Sequence, residues 1–137
     1  MNTITSSQIR QFNGTIGLLY NNNENDCDEQ QELCWTYEDV KHLIIMWQRQ
    51  QRVNNKIVLC IALSNVERLL YVNTGYHIDE PIIRVYGEIV SRHITLSDEE
   101  ILNELMDLFS YLKKNMKQQS VRFNYQGYTE HLSYRIG

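Results

Sequence analysis

The sequence has little proline, few cysteines and no long hydrophobic run. Proline occurs once in 137 residues, and the three cysteines, Cys27, Cys34 and Cys60, stand at spacings that match no usual zinc site. All three are predicted to be reduced thiols, and neither a metal nor a cofactor is expected. The longest apolar run, residues 57–63, is far shorter than the ~18 residues of a membrane-spanning helix, so no association with a membrane is expected.

The sequence also lacks an excess of basic charge and a visible secretory signal. Its formal net charge is −4, and nucleic-acid binding depends on neutralising phosphates with Lys and Arg, so nucleic acid is not an expected partner. The first twelve residues, MNTITSSQIRQF, have neither the basic nor the apolar region of a signal peptide. We therefore expect a cytoplasmic protein.

The segment 96–117 carries the clearest structural pattern in the chain. Ser97 and Glu100 form the capping box of a helix, in which each side chain binds the other residue's backbone N–H. Acidic residues follow the cap and lysines lie near the end, as the helix dipole favours. Apolar residues then recur with a period of 3.6 and predict one buried face; they are Ile101, Leu105, Leu108, Leu112 and Met116.

A second helix and six strands are predicted around this helix. The second helix begins after Thr36, which Asp39 answers in another capping box, and it runs to about Arg52. The strands are predicted at 12–20, 57–63, 66–72, 82–90, 121–125 and 128–136. The continuously apolar segment 57–63, IVLCIAL, is the candidate for the sheet centre, because strands covered on both faces have this pattern.

This order, β-α-β-β-β-α-β-β, predicts an α+β fold with a mainly antiparallel sheet of five to six strands and two amphipathic helices. A single domain is expected over residues 1–137. Residues 1–11 are polar and are expected to fray, and residues 21–33 form a predicted mobile acidic loop, since they carry five carboxylates and no hydrophobic period.

No motif in the sequence requires catalysis. A phosphate-cradling glycine-rich loop, a Gly-x-Ser-x-Gly elbow and a His-Glu-x-x-His pair are all missing. Nine tyrosines are present, and tyrosine is favoured in protein interfaces as well as in strands. We therefore expect a small acidic module that binds a protein with a basic surface and acts as an inhibitor, an immunity or anti-defence protein, or a dedicated chaperone; a homo-oligomer is compatible with this. The expected contact residues are Asp26, Asp28, Glu29, Glu32, Tyr76, His77, Tyr86, Tyr125 and Tyr128.

Two other functions stay open at this point. A small-molecule-binding protein would place its pocket between sheet and helices, with polar and stacking contacts from Arg84, Arg122, Tyr86 and Tyr125. A small enzyme would use His and Tyr side chains in such a pocket. A deep pocket with convergent Arg, His and Tyr favours these two functions, whereas a flat sheet face rich in tyrosine favours the protein-binding module.

Overall fold

The computed structural model describes residues 9–18, 35–66, 69–72, 75–78, 81–129 and 131–137, with the backbone alone for 69–72 and 75–78. In these residues the chain forms seven strands, two α-helices and a short 3₁₀ helix, Ser91–His93. The strands are β1 (Gln11–Gly17), β2 (Ala62–Val66), β3 (Leu69–Val72), β4 (Gly75–Ile78), β5 (Ile82–Glu88), β6 (Val121–Gln126) and β7 (His131–Ile136), and the helices are α1 (Tyr37–Val53) and α2 (Asp98–Asn115).

Five of these strands form an antiparallel sheet in the order β2-β5-β1-β6-β7, and β3 pairs with β4 in a separate two-stranded sheet. The predicted α+β class is therefore confirmed. Both predicted capping boxes are formed, Thr36 with Asp39 at α1 and Ser97 with Glu100 at α2.

The two helices cover one face of the sheet. Along β1, burial alternates strictly, with Phe12, Gly14 and Ile16 buried and the residues between them exposed. The ring of Phe109 on α2 stacks on Phe123 of β6, with centroids 4.6 Å apart. A Cβ at Gly14 would collide with the Phe109 ring and lie 2.8 Å from the Phe123 Cβ, so the close approach of α2 to the middle of the sheet requires glycine there.

The prediction that residues 57–63 form the centre of the sheet is wrong. Strand β2 begins only at Ala62 and lies at an edge, and the central strand is β1. Residues before Ala62 run as extended chain that buries Leu59 without a strand partner. Side chains take the place of that partner: Gln48 Nε2 donates to the Leu59 carbonyl at 3.0 Å and Gln51 Nε2 to the Ile57 carbonyl at 2.7 Å.

Two smaller boundaries also differ from the prediction. The gap between the predicted strands 57–63 and 66–72 lies inside β2, and the gap between the predicted strands 66–72 and 82–90 contains β4. Antiparallel pairing of β4 with β3 provides hydrogen-bond partners for the backbone of Gly75–Ile78. In β7, Tyr134 and Ile136 pack against the core, whereas Leu132 is exposed.

The structure describes only the last part of the segment 1–11, which is expected to fray, and none of the expected mobile loop 21–33. Arg10 is buried and β1 already begins at Gln11, so the ordered chain extends into the segment 1–11. Residues 1–8 and the predicted acidic loop 21–33 lie outside the described residues. None of the described helices is long and apolar enough to span a bilayer.

Candidate functional site

The sheet face opposite the helices carries polar side chains in register. Asn13 of β1 pairs directly with Tyr86 of β5 on one side and with Asn124 of β6 on the other. Two residues further along β1 and on the same face, Thr15 stands between Arg84 and Arg122. Because strand neighbours on one face lie within side-chain reach, this register places polar and charged groups from three strands together.

A cavity of about 730 Å³ lies on this polar face, within the range of about 300–1,000 Å³ that small-molecule sites occupy. Its polar lining comes from β1, β5 and β6, and its apolar wall comes largely from the chain that leads into β2 and from Val90. The lining residues are Gln11, Phe12, Asn13, Cys60, Ile61, Ala62, Arg84, Tyr86, Gly87, Glu88, Val90, Asn124 and Gln126.

The wall of the cavity depends on Gly87. A Cβ at this position would overlap the Cys60 carbonyl oxygen and approach the Phe12 ring at 3.1 Å. Glycine therefore lets the extended segment before β2 run directly against β5. This close approach brings Cys60, Ile61 and Ala62 to the edge of the polar face.

Arg84 is held in one orientation inside the cavity. Its Nε donates to Asn13 Oδ1 at 2.9 Å. The guanidinium carbon lies 3.9 Å from the centroid of the Tyr86 ring, a cation–π distance. Two contacts on a planar cation fix both its position and its plane, so the cavity contains an oriented positive charge.

Glu88 supplies the acidic side chain of the cavity lining. It is exposed at the end of β5, directly opposite Gln11 of β1, whose amide donates to Gln126 at 3.2 Å. Its carboxylate forms no ion pair with any residue in the described part of the chain. A carboxylate in this state is available to a cationic ligand.

The structure places the four residues of the predicted ligand site differently. Arg84 and Tyr86 line the cavity, whereas Arg122 lies on the same face outside the lining. Tyr125 points to the opposite face and is 1% exposed, with its hydroxyl donating to Asp98 at 2.7 Å. Among the described residues, aromatic and aliphatic core side chains lie between sheet and helices, and the cavity lies on the opposite face of the sheet.

The residues predicted to contact a protein partner do not form one described surface. Asp26, Asp28, Glu29 and Glu32 lie outside the described residues, and Tyr76 and His77 are described only through the backbone of β4. Tyr128 is 45% exposed, and its ring lies 4.0 Å from the Arg10 guanidinium carbon. Tyr125 is buried, so its side chain is not accessible to a partner.

Sequence reasoning missed Asn13 and Glu88 as site residues. Each stands at an alternate, outward-facing position of its strand, and this alternation is visible in the sequence. The alternation predicts which face of the sheet a residue occupies, but not which residues of other strands lie next to it, because this depends on strand order and register.

A separate polar network holds Asp98 at the start of α2. Its carboxylate accepts hydrogen bonds from the Tyr125 hydroxyl, from the Tyr128 and Thr129 backbone N–H groups, and from Arg10 at 3.4 Å. Burial by itself would raise the pKa of Asp98, but these hydrogen bonds outweigh it and lower the pKa below its usual value. Burial and the adjacent carboxylate raise the pKa of Tyr125. The network joins the start of β1, the start of α2 and the β6–β7 turn.

Asp98 is expected to make stability depend on acid pH. A carboxyl group whose pKa is lower in the folded state stabilises the fold above its unfolded-state pKa of about 3.9, and this contribution is lost as the pH falls through the folded-state pKa. Urea unfolding from pH 7 down to pH 3 should therefore show a larger loss of stability for the wild type than for Asp98→Asn. Parallel pH profiles for the two proteins would contradict this.

In the part of the chain that the structure describes, no three His, Cys, Asp or Glu side chains are grouped so that they would hold a metal ion.

Comparison with known proteins identifies the fold. No protein-family model and no curated protein matches the sequence. Two solved structures match in three dimensions. A phage SAM lyase in the apo state has a TM-score of 0.63 and 20% sequence identity, over 99% of this chain and 94% of that chain. A phage SAM lyase in complex with S-methyl-5′-thioadenosine has a TM-score of 0.63 and 17% identity, over 99% and 95%.

This similarity overturns the expectation of a protein-binding inhibitor, immunity protein or chaperone. The two matching structures are of an enzyme, and one of them contains a small molecule. The match covers nearly all of both chains, so it concerns the whole fold. The alternative expectation, a small-molecule site or a small enzyme, agrees better with this fold and with the cavity on its polar face.

Proposed function

We propose that this protein is a lyase that cleaves S-adenosylmethionine (SAM) and releases S-methyl-5′-thioadenosine. The observation that carries the proposal is the Glu88 carboxylate, which lies without an ion pair among the described residues in a cavity of ligand size. The substrate is a sulfonium cation, which a carboxylate attracts. The proposal is supported by the fold, which phage SAM lyase shares at a TM-score of 0.63.

The reaction breaks the bond between the sulfonium sulfur and Cγ of the amino-acid chain. The bonding electron pair stays on sulfur, which becomes the neutral sulfide of the thioadenosine. One oxygen of the substrate's own carboxylate forms a bond to the same Cγ and closes a five-membered lactone. Atoms and charges balance without water, since the carboxylate loses its negative charge as sulfur loses its positive charge. An intramolecular attack of this kind gains chiefly from orientation.

The residues of the cavity then have binding and orienting roles. Glu88 attracts the cationic part of the substrate, its ammonium and sulfonium groups. The wall formed by Ile61, Ala62 and Val90 provides apolar surface for the adenosyl group. Because two opposite charges disappear in the reaction, partial exclusion of water from the bound substrate favours the transition state over the separated charges.

The direct test is incubation of the purified protein with SAM, followed by liquid chromatography and mass spectrometry. We expect S-methyl-5′-thioadenosine and homoserine lactone to form in equal amounts. In water enriched in oxygen-18, the lactone should carry no label, whereas direct hydrolysis of SAM would place the label in the side-chain hydroxyl of homoserine. Thioadenosine formation no faster than with heat-denatured protein would overturn the proposal.

A further inference from the structure

Arg84 has the geometry of a receptor for an anionic group. Its Nε is occupied by Asn13 and one face of its plane by Tyr86. Its terminal Nη groups make no hydrogen bond or ion pair to any described residue. Two adjacent N–H donors on a fixed guanidinium match the two oxygens of a carboxylate.

The surrounding charges give this end of the cavity a positive potential. Arg122 lies in the same row as Arg84 across the sheet, separated from it by Thr15, and Arg135 of β7 pairs directly with Arg122. Like charges at directly paired positions disfavour the sheet. None of these three arginines has a carboxylate partner among the described residues. An anion bound at this end would lower the repulsion.

The opposite charge lies a short distance along the same strand. Glu88 is two residues beyond Tyr86 on the same face, which corresponds to about 7 Å of strand rise. The Arg84 guanidinium lies over the Tyr86 ring, and both Arg84 and Glu88 line the cavity, so the cavity contains a cation and an anion on one face of β5. A zwitterionic ligand fits between them when its carboxylate faces Arg84 and its cationic groups face Glu88.

We propose that Arg84, oriented by Asn13, binds the α-carboxylate of the substrate, in which one oxygen keeps a lone pair for the attack on Cγ, and thereby selects sulfonium compounds that carry an intact amino-acid chain. This inference rests on the proposed function and assigns the part of SAM that each end of the cavity recognises. Arg84 is then a specificity-determining residue, and Asn13 is a positioning residue that acts through it. The released thioadenosine lacks the carboxylate and therefore loses this contact.

The test compares two non-reacting ligands by isothermal titration calorimetry. Sinefungin keeps the amino-acid chain and a cationic centre of SAM but cannot be cleaved, whereas S-methyl-5′-thioadenosine lacks the chain. We expect Arg84→Met to weaken sinefungin binding by about tenfold or more, because it removes a charge-assisted pair of hydrogen bonds, and to change thioadenosine binding by less than about twofold. Asn13→Ala should weaken sinefungin binding to a smaller extent.

Arg122→Met is the matched control, since Arg122 lies on the same face outside the cavity lining. It should change sinefungin binding by less than about threefold, which separates a specific contact from the general charge of the face. Equal loss of both ligands in Arg84→Met, or no loss of either, would overturn the inference while leaving the proposed function in place. Arg84→Lys, which keeps the charge, gives the same comparison if the methionine variant does not fold. A wild-type protein that binds neither ligand and forms no thioadenosine overturns the proposed function itself.

Discussion

Replacing Glu88 by glutamine is expected to lower kcat/KM for SAM cleavage by about 100-fold or more. The substitution keeps the shape of the side chain and removes the negative charge of a cavity-lining residue, which in the proposed function attracts the cationic groups of SAM. Without that charge, the cationic groups of SAM lose a contact that orients the chain for the proposed intramolecular attack. Initial rates of thioadenosine formation over a range of SAM concentrations measure the effect.

A matched control is Glu38→Gln on helix α1, which removes an exposed carboxylate from the helical layer on the other side of the sheet. Its activity should stay within about twofold of the wild type, because screening makes exposed charges far from the site ineffective. Thermal melting of Glu88→Gln should be unchanged, since its carboxylate makes no ion pair with a described residue. A Glu88→Gln enzyme with more than half of the wild-type activity would remove Glu88 from the mechanism.

The largest expected effect on stability comes from Leu105→Asp. Leu105 lies at the centre of the buried stripe of α2 and is 0% exposed. An aspartate there would be buried without a partner, at a cost of several kcal/mol, which is a large part of the roughly 5–15 kcal/mol that stabilises a domain. The variant should show no cooperative unfolding transition in circular dichroism or denaturant titration.

Leu105→Met serves as the control for this substitution. Methionine has a similar volume and no charge, so this variant should unfold cooperatively and lose less than about 1.5 kcal/mol. A cooperative transition of Leu105→Asp near the wild-type midpoint would show that the α2 stripe does not face the core.

The helices were predictable from sequence because their signals are local. The Ser97 and Glu100 box, the 3.6-residue stripe and the charges at the helix ends all fall within one short segment, and the structure confirms them. The strand predicted over residues 12–20 also depended on a local signal, its β-branched and aromatic residues, and β1 occupies Gln11–Gly17. The predicted strand boundaries differ from the observed ones where the hydrogen-bond partners of the strand lie far away in the sequence, as they do for β2, which pairs with β5.

The candidate site was less predictable because it depends on strand order. Arg84 and Tyr86 were found through their residue types, but Asn13 joins them only because β1 is the neighbour of β5. Tyr125 was misplaced because a one-residue step along β6 changes the face of the sheet. Residues 57–63 were misread because continuous hydrophobicity is shared by a central strand and by an extended segment at the boundary between sheet and helices.

Two glutamine side chains of helix α1 donate hydrogen bonds to the Ile57 and Leu59 carbonyls and so connect the helix to the chain segment that leads to the cavity. Gln48 and Gln51 belong to the helical layer, yet the carbonyls they hold, at Leu59 and Ile57, lie in the segment that continues into the cavity wall at Cys60 and Ile61. The position of this part of the cavity wall therefore depends on the side-chain amides of Gln48 and Gln51, which belong to the helical layer. Screens that look for altered ligand recognition should therefore include these two helix positions, although neither touches the cavity.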